Sequence, residues 1–153
     1  MSRFNLQSLE GKPFELGSQD CFTAVKDFYE LNFGIQMPNF SRPNDWDSEK
    51  DDLIGKHYAA AGFDKLDKEP NWPPRPADLL VATTSGSTPD HLIIFLGGNE
   101  IFHHKVMMLS GVDTMRPAWR RYTSYILRHP SVPDLTEKKP TMDLMEAYRE
   151  KAI

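Results

Sequence analysis

The sequence has little cysteine, no long hydrophobic run and no excess of basic charge. Its one cysteine excludes an internal disulfide. No stretch approaches the roughly 20 apolar residues of a membrane-spanning helix, so we expect no insertion into a membrane. The net charge of -4 gives no reason to expect nucleic acid as a partner. The first residues also lack the basic start, apolar middle and cleavage site of a secretory signal.

The composition that remains is that of one folded domain. With 153 residues, of which 39% are hydrophobic and 26% charged, the chain can bury a single core. Prolines, 12 in all, fall mainly in loops and in the last quarter of the chain. We therefore predict a domain over residues 1–129, followed over residues 130–153 by a solvated linker and a short docking helix.

The cysteine lies where the sequence predicts the start of a helix. Ser18 is a favourable N-cap, Asp20 falls in the first turn, and apolar residues recur at helical spacing until Gly34 predicts the end. Unpaired N–H groups and the helix dipole in the first turn favour a thiolate, which predicts a lowered pKa for Cys21. The alternative is a buried cysteine that packs as a small apolar residue.

The rest of the chain predicts an α+β fold. Ser48 indicates the N-cap of a second helix that ends at Gly62, and residues 63–77 read as a proline-rich connection. An extended proline-rich ligand for another domain is the alternative for that connection. Pro117 predicts a short helix. The predicted strands cover residues 78–84, 91–96, 100–108 and 123–128. Two helices followed by an antiparallel meander favour α+β over a parallel α/β sheet.

Two histidines on neighbouring predicted strands supply what thiol chemistry requires. His91 begins one strand, and His103 lies on the next, 12 residues later. Imidazole can take the proton of a thiol and return it to a leaving amine, and a second polar group can orient the ring. An odd-numbered loop centred on Gly97 places His91 opposite His103, whereas a two-residue loop places it opposite His104. The pattern leaves both registers open.

A metal site is a further alternative for the same residues. Cys21 and three histidines (91, 103 and 104) include the side chains that bind zinc. However, adjacent residues of a strand point to opposite faces of the sheet, so His103 and His104 do not share one ion easily. We therefore expect no metal and no other cofactor.

Three strings in this order resemble the NlpC-type cell-wall cysteine peptidases, a compact papain-like family. The strings are Asp20-Cys21-Phe22 at a helix start, Asp78-Leu79-Leu80, and the stretch from His91 to His103. The family's usual strings are "DC", "GDLL" and "HVGIYLGDGxFIH", and the resemblance covers roughly residues 15–128. Further residues are similar to the branch found in tail-assembly and tail-tip proteins of long-tailed phages: Tyr29, Gly34, Ile35, Pro38, residues 42–46 and 102–104, Ser110, Arg128 and His129.

The resemblance implies helices packed on a small antiparallel sheet and an endopeptidase for peptidoglycan stem peptides. The typical target is the bond between D-γ-glutamate and meso-diaminopimelate. Carried over residue by residue, Cys21 would be the nucleophile, His91 the general base and acid, and His103 the orienting residue. Backbone N–H groups near Cys21 would form the oxyanion hole.

The resemblance also implies which residues contact substrate, which proteins are partners and where the chain acts. Four residues are expected to contact substrate: Asp20, Tyr29, Trp46 and His104. Stabilisation of the helix start would by itself explain Asp20. Other tail-tip or baseplate proteins are expected partners, with residues 130–153 as the expected contact. The expected location is the host cytoplasm during assembly and later the virion tail tip, acting in the periplasm and cell wall.

Some residues depart from the family pattern. Phe22-Thr23 stands where many cellular members have Ser-Gly, and Ala77 stands where glycine is usual. No cell-wall-binding repeat or metallopeptidase domain, such as longer phage homologues carry, is recognisable. The alternative function is a tail-tip subunit that keeps the peptidase fold mainly for assembly. Related amidases, acyltransferases and transglutaminases could use the same residues on a different bond.

Overall fold

A computed structural model describes residues 4–42, 46 and 50–136 of the chain. In these residues four helices and six strands are found. The helices are α1 (Cys21–Phe33), α2 (Leu53–His57), the kinked turn α3 (Lys68–Asn71) and α4 (Pro117–Tyr122). The strands are β1 (Asp64–Asp67), β2 (Leu79–Ala82), β3 (His91–Gly97), β4 (Glu100–His103), β5 (Gly111–Thr114) and β6 (Thr123–Arg128).

The strands form one antiparallel sheet in the order β1-β6-β2-β3-β4-β5. Strands β2 to β5 follow one another as a meander, and β6 returns to the free side of β2. Every residue of β2 is buried, and so are the first six of β3, as their continuous apolar runs indicate. The predicted α+β class, a small antiparallel sheet with a few helices, is confirmed.

The sheet is wider than predicted. Residues 64–67 were expected in a connection but form β1, which pairs with β6 at the edge of the sheet. β5 was not predicted, and β4 ends at His103 instead of continuing to residue 108. Both edge strands are short and polar, so their own residues carry little strand signal. Their pairing with a neighbouring strand determines them, β1 with β6 and β5 with β4.

The two faces of the sheet carry separate apolar clusters. Alternation along β3 directs Leu92 and Ile94 toward the cluster that contains α1, whereas Ile93 joins a second cluster with Trp119 of α4. Cys21 belongs to the α1 cluster. The sheet therefore separates the cysteine side from the side on which Trp119 packs, and β3 contributes to both.

The ends of the helices differ in part from the prediction. Asp20, and not Ser18, is the N-cap of α1, since its side chain accepts a hydrogen bond from the Thr23 backbone N–H. Gly34 ends α1 in the left-handed region at φ 66°, as predicted. The second helix is shorter than predicted and is capped by the Asp52 side chain. Ser48, the predicted cap, lies outside the described residues.

The segments at either end of the described chain pack on the domain. Phe4, Leu6 and Leu9 of the predicted irregular arm are buried in the α1 cluster. Val132 and Leu135, in the predicted linker, pack against the same cluster. The predicted docking helix falls in residues 137–153, outside the described residues. Among the described helices, none is long and apolar enough to cross a membrane.

A buried hydrogen bond joins α1 to the turn that precedes β2. Tyr29 is fully buried, and its hydroxyl donates to the carbonyl oxygen of Ala77. We expect Tyr29→Phe to lower the free energy of unfolding by about 1–3 kcal/mol, because that carbonyl loses its partner. Urea denaturation measures the change, with Tyr122→Phe at an exposed tyrosine as the control. Equal effects of the two substitutions would contradict the assignment.

Candidate active site

Two histidines form a directly bonded pair on the side of the sheet that carries Trp119. The Nε2 atom of His91 lies 2.9 Å from Nδ1 of His103, and both side chains are buried. The indole of Trp119 contacts both imidazoles, at centroid distances of 5.9 Å from His91 and 5.2 Å from His103. The structure therefore brings together the two histidines that the sequence predicts to act together.

The hairpin that joins them has neither of the registers considered from the sequence. His103 lies opposite Ile93, and a shift near Gly97 separates this pairing from that of Gly97 with Glu100. His91 therefore lies diagonally from His103, two residues along β3 and on the same face. The side chains bridge that diagonal. The odd-loop register, which would place the two histidines directly opposite each other, is therefore not observed, although their contact is present.

Burial keeps both imidazoles neutral. It lowers the pKa of His91 to about 3, with a further contribution from the neighbouring His103. Burial also lowers the pKa of His103, to about 4, although Asp113 opposes the shift. The Nε2 atom of His103 lies 3.5 Å from Oδ2 of Asp113 on β5. At neutral pH each ring therefore has one N–H and one lone pair.

Cys21 is the first residue of α1, yet its thiol is not activated in this structure. The side chain is 6% exposed, and burial raises the pKa of the Cys21 thiol to about 12. The backbone N–H groups of Leu92 and of Cys21 itself act in the opposite direction, as expected at a helix start, but do not outweigh burial. The lowered pKa predicted from the helix position is therefore wrong for the resting state.

The Leu92 contact nevertheless relates the thiol to the histidine pair. Leu92 follows His91 directly in β3, and its backbone amide is one of the groups that lower the pKa of the Cys21 thiol against the effect of burial. The amide that acts on the thiol therefore belongs to the residue next to His91, at the start of β3. Of the two ring nitrogens of His91, Nε2 is engaged by His103. Nδ1 is the ring nitrogen of His91 that does not face His103.

A buried ion pair holds the start of α1. Arg42 donates from Nε to Oδ2 of Asp20 at 2.6 Å and from Nη2 to Oδ1 at 3.0 Å. The backbone N–H groups of Gly17 and Thr23 also donate to this carboxylate. Burial by itself would raise the pKa of Asp20, but the hydrogen bonds from Arg42, Thr23 and Gly17 hold it below its usual value. Both oxygens of Asp20 are thus occupied within the protein.

The Arg42 guanidinium is itself enclosed. It contacts the ring of Phe22 at 5.0 Å and that of Phe40 at 5.3 Å, and it also donates to the Phe40 carbonyl. Phe22, which replaces the small residue usual after the nucleophile, therefore covers the ion pair. These contacts explain why a bulky residue is accommodated at this position.

A groove of about 600 Å³ opens beside His91. Its lining includes Trp46, whose Nε1–H donates to the Asp51 carbonyl oxygen at 3.1 Å. A second depression of about 370 Å³ lies next to His103 and Asp113. Lys105 and Arg116 line both spaces. The histidine pair therefore lies beneath an open surface with basic residues at its boundary.

Three of the four predicted substrate contacts, Asp20, Tyr29 and His104, do not line this groove. Tyr29 is enclosed in the core, and the His104 side chain projects to the opposite face from His103. The Nε2–H of His104 donates to the Met108 carbonyl oxygen at 3.0 Å, and its ring packs edge-on against Phe14. His104 therefore fixes the loop after β4. Only Trp46 of the four lines the groove.

Sequence reasoning did not assign a role to Asp113, Lys105 or Arg116. Each is a single charged residue in a polar stretch, and no spacing rule connects it with His91. In the part of the chain that the structure describes, no group of three or more His, Cys, Asp or Glu is arranged to hold a metal ion.

The sequence matches the NlpC/P60 family over residues 11–128. The chain belongs to this family. The match covers the elements from the segment before α1 to the end of β6, so the NlpC/P60 region contains the helix with Cys21, the histidine pair and the whole sheet. The predicted resemblance to NlpC-type proteins is confirmed.

Two curated relatives of this NlpC/P60 chain come from phages. The chain is 35% identical over 121 residues to the tail tip assembly protein K of Escherichia phage lambda, covering 79% of this chain and 59% of that protein. It is 27% identical over 123 residues to the tail tip assembly protein K of Escherichia phage N15, covering 79% and 49%. The chain thus spans about half the length of the curated relatives it matches.

The ion pair generates a prediction about stability. Arg42→Leu leaves the buried Asp20 carboxylate unpaired, and we expect it to lower the free energy of unfolding by about 3–5 kcal/mol. The further substitution Asp20→Asn should recover part of the loss. Arg75→Leu, which breaks an exposed pair with Asp134, is the control and should have little effect in the same urea titration. A mild effect of Arg42→Leu would contradict this role.

The histidine pair generates a prediction about pH. Since folding depresses both pKa values, the unfolded chain binds protons first, and we expect stability to fall as the pH decreases from about 6.5 toward 4. The double variant His91→Asn/His103→Asn should lose less stability over this range. Proton NMR of the imidazole signals gives a direct measurement, in which neither ring should titrate between pH 8 and 5. Titration of either ring near pH 6.5 would contradict the prediction.

Proposed function

We propose that this chain is a phage-tail peptidoglycan endopeptidase that hydrolyses amide bonds of stem peptides. The proposed bond is D-γ-glutamyl-meso-diaminopimelate, the typical target of NlpC-type peptidases. The observation that carries the proposal is the 2.9 Å contact of His91 with His103 beside a groove, with the backbone amide of Leu92, the residue after His91, acting to lower the pKa of the Cys21 thiol. Together they contain the nucleophile, the base and the orienting group that acyl transfer requires.

In the proposed reaction Cys21 is the nucleophile. The Cys21 sulfur attacks the amide carbonyl carbon while His91 Nδ1 takes the thiol proton. His91 then returns this proton to the nitrogen as the carbon–nitrogen bond breaks, which releases the amine and leaves a thioester on Cys21. Water, deprotonated by His91, attacks the thioester and regenerates the thiol. His103 holds the His91 ring in place through its Nδ1 atom throughout these steps.

In this mechanism the resting site contains no thiolate–imidazolium pair. The thiol is protonated at neutral pH because of its raised pKa, and both imidazoles are neutral because of their lowered pKa values. Proton transfer to His91 therefore accompanies attack on the substrate instead of preceding it. The backbone N–H of Cys21 is the proposed oxyanion donor, since it already interacts with the sulfur.

The proposed setting is the phage tail. The two relatives are named tail tip assembly proteins, and this supports a place for the chain at the tail tip. We propose assembly in the host cytoplasm and action on the cell wall when the tail engages the host. Other tail proteins are the proposed protein partners, with residues 130–153 as their contact. Val132 and Leu135 pack on the domain, so the first part of this segment would present such a contact from a fixed position.

A structural role without hydrolysis is the second candidate, and one observation favours it. Cys21 is only 6% exposed and does not line the groove beside His91. A subunit used only in tail assembly has no need for an accessible thiol. The names of the two relatives, which refer to assembly, agree with this candidate as well.

Hydrolysis of purified peptidoglycan peptides distinguishes the two candidates. We expect the wild-type protein to cleave between γ-glutamate and the diamino acid, and Cys21→Ala to lose at least about 10³-fold of the rate, because the nucleophile is absent. Mass spectrometry of the products identifies the bond. Cys21→Ala should fold normally, since a small apolar residue replaces a buried one, and circular dichroism checks this. Equal rates for the two proteins would reject Cys21 as nucleophile, and no cleavage by either would favour the structural role.

A further inference from the structure

Asp113 contacts the histidine pair through His103, at the ring nitrogen that does not face His91. It lies on β5, opposite Ile101 and two residues from Gly111, the partner of His103. Its Oδ2 atom lies 3.5 Å from Nε2 of His103. Its Oδ1 atom accepts the backbone N–H of Thr114 at 2.8 Å. One oxygen is thus held by the strand, and the other is directed at His103.

We propose that Asp113 is a positioning residue that fixes the tautomers of both histidines and thereby keeps Nδ1 of His91 free to accept a proton. This inference rests on the proposed function for its catalytic meaning, but the proton positions it assigns do not depend on any reaction. It concerns where two protons reside in the resting protein.

The assignment follows from donor and acceptor chemistry. A carboxylate can only accept, so the His103 nitrogen that faces Asp113 must carry the proton. His103 is neutral at pH 7, because burial lowers its pKa, and its other nitrogen, Nδ1, is then an acceptor. Nε2 of His91 therefore donates to it at 2.9 Å. Since His91 is neutral as well, its Nδ1 holds a lone pair.

Without Asp113 the opposite arrangement of the protons on His91 and His103 becomes equally possible. His103 can then carry its proton on Nδ1 and donate to Nε2 of His91. In that case Nδ1 of His91 must carry the proton of the neutral ring. This tautomer cannot accept the proton of a thiol, and the pair would be present but unable to act as a base. The carboxylate thus selects one of two arrangements that have the same hydrogen-bond distance.

The nearby charges do not replace Asp113 in this role. Arg116 lies 3.6 Å from Oδ1 of Asp113, on the oxygen that faces away from His103. Lys105 lies over the ring of Trp119 at 5.4 Å, and it disfavours a charge on both histidines. Both residues are donors only, so neither can accept the proton of His103. Among the described residues, the acceptor that contacts Nε2 of His103 is the carboxylate of Asp113.

The test is nitrogen NMR of the full protein labelled with 15N-histidine. Long-range proton–nitrogen correlation distinguishes protonated from unprotonated ring nitrogens, and His→Asn variants assign the signals. In the wild type at pH 7.5 we expect Nε2 protonated and Nδ1 unprotonated in both His91 and His103. The reverse pattern in either residue would overturn the proposal.

Three variants extend the measurement. Asp113→Leu removes the acceptor at similar volume, and we expect both nitrogens of His91 to shift toward values for a mixture of tautomers. Asp113→Asn keeps an oxygen at the same position and should retain most of the wild-type pattern. Arg116→Gln alters the charge beside Asp113 but not its Oδ2 contact, and should leave the pattern unchanged. Wild-type nitrogen shifts in Asp113→Leu would overturn the proposal, and circular dichroism checks its folding.

Kinetics separates this inference from the proposed function. If the wild type hydrolyses stem peptides, Asp113→Leu should lower kcat about tenfold or more with little change in KM, and Asp113→Asn should recover most of the loss. An unchanged kcat in Asp113→Leu would overturn the positioning role. If the wild type has the expected tautomers but cleaves nothing, the proposed function fails while the assignment of Asp113 to the tautomers is upheld.

Discussion

The buried pair of Asp20 and Arg42 is the interaction on which the position of Cys21 depends. Asp20 is the N-cap of α1, so its carboxylate fixes where the helix begins. Arg42, from the segment after the helix, occupies both carboxylate oxygens and is enclosed by two phenylalanine rings. A buried carboxylate without a partner is strongly unfavourable, so the loop and the helix start cannot separate without a large cost. Cys21, the next residue, is held against β3 as a consequence.

The same arrangement engages the carboxylate of Asp20, the residue before the cysteine, within the protein. A carboxylate that caps a helix and binds a guanidinium through both oxygens has no free acceptor directed outward. Its function is to orient the first turn. The positive end of the helix still acts on Cys21, because the backbone amide of this residue lowers the pKa of its own thiol. Burial is the larger effect, and the thiol stays protonated in the resting protein.

Much of this fold could be predicted from the sequence, because its central elements carry strong local signals. The buried runs of β2 and β3, the helix ended by Gly34 and the short helix after Pro117 were all predicted close to their observed positions. The edge strands were not, since Asp64–Asp67 and Gly111–Thr114 are polar and become strands only through pairing. The hairpin register also failed, because the irregularity at Gly97 has no counterpart in residue spacing.

The same distinction applies to the candidate site: residues on elements with a strong local signal could be predicted, and residues on the edge strands could not. The contact of His91 with His103 could be predicted, because alternation places both on one face in any odd-loop register. Asp113 could not, because β5 itself was not predicted, and an acidic residue on an unrecognised strand cannot be assigned to a neighbour. Ala77 shows the limit for a single substitution. It adopts φ 77°, a region in which glycine is favoured, and a buried hydrogen bond from Tyr29 to its carbonyl holds the turn nonetheless.

The direction of the pKa shifts constrains how such a site can react. A raised thiol pKa and a lowered imidazole pKa both oppose a resting thiolate–imidazolium pair. The two charges attract each other when they form together, so transfer of one proton from Cys21 to His91 costs less than forming either ion alone. This coupling works only if the receiving nitrogen has a lone pair. A neutral histidine pair therefore needs a fixed tautomer more than an imidazolium does, and the acceptor at position 113 satisfies that requirement through His103.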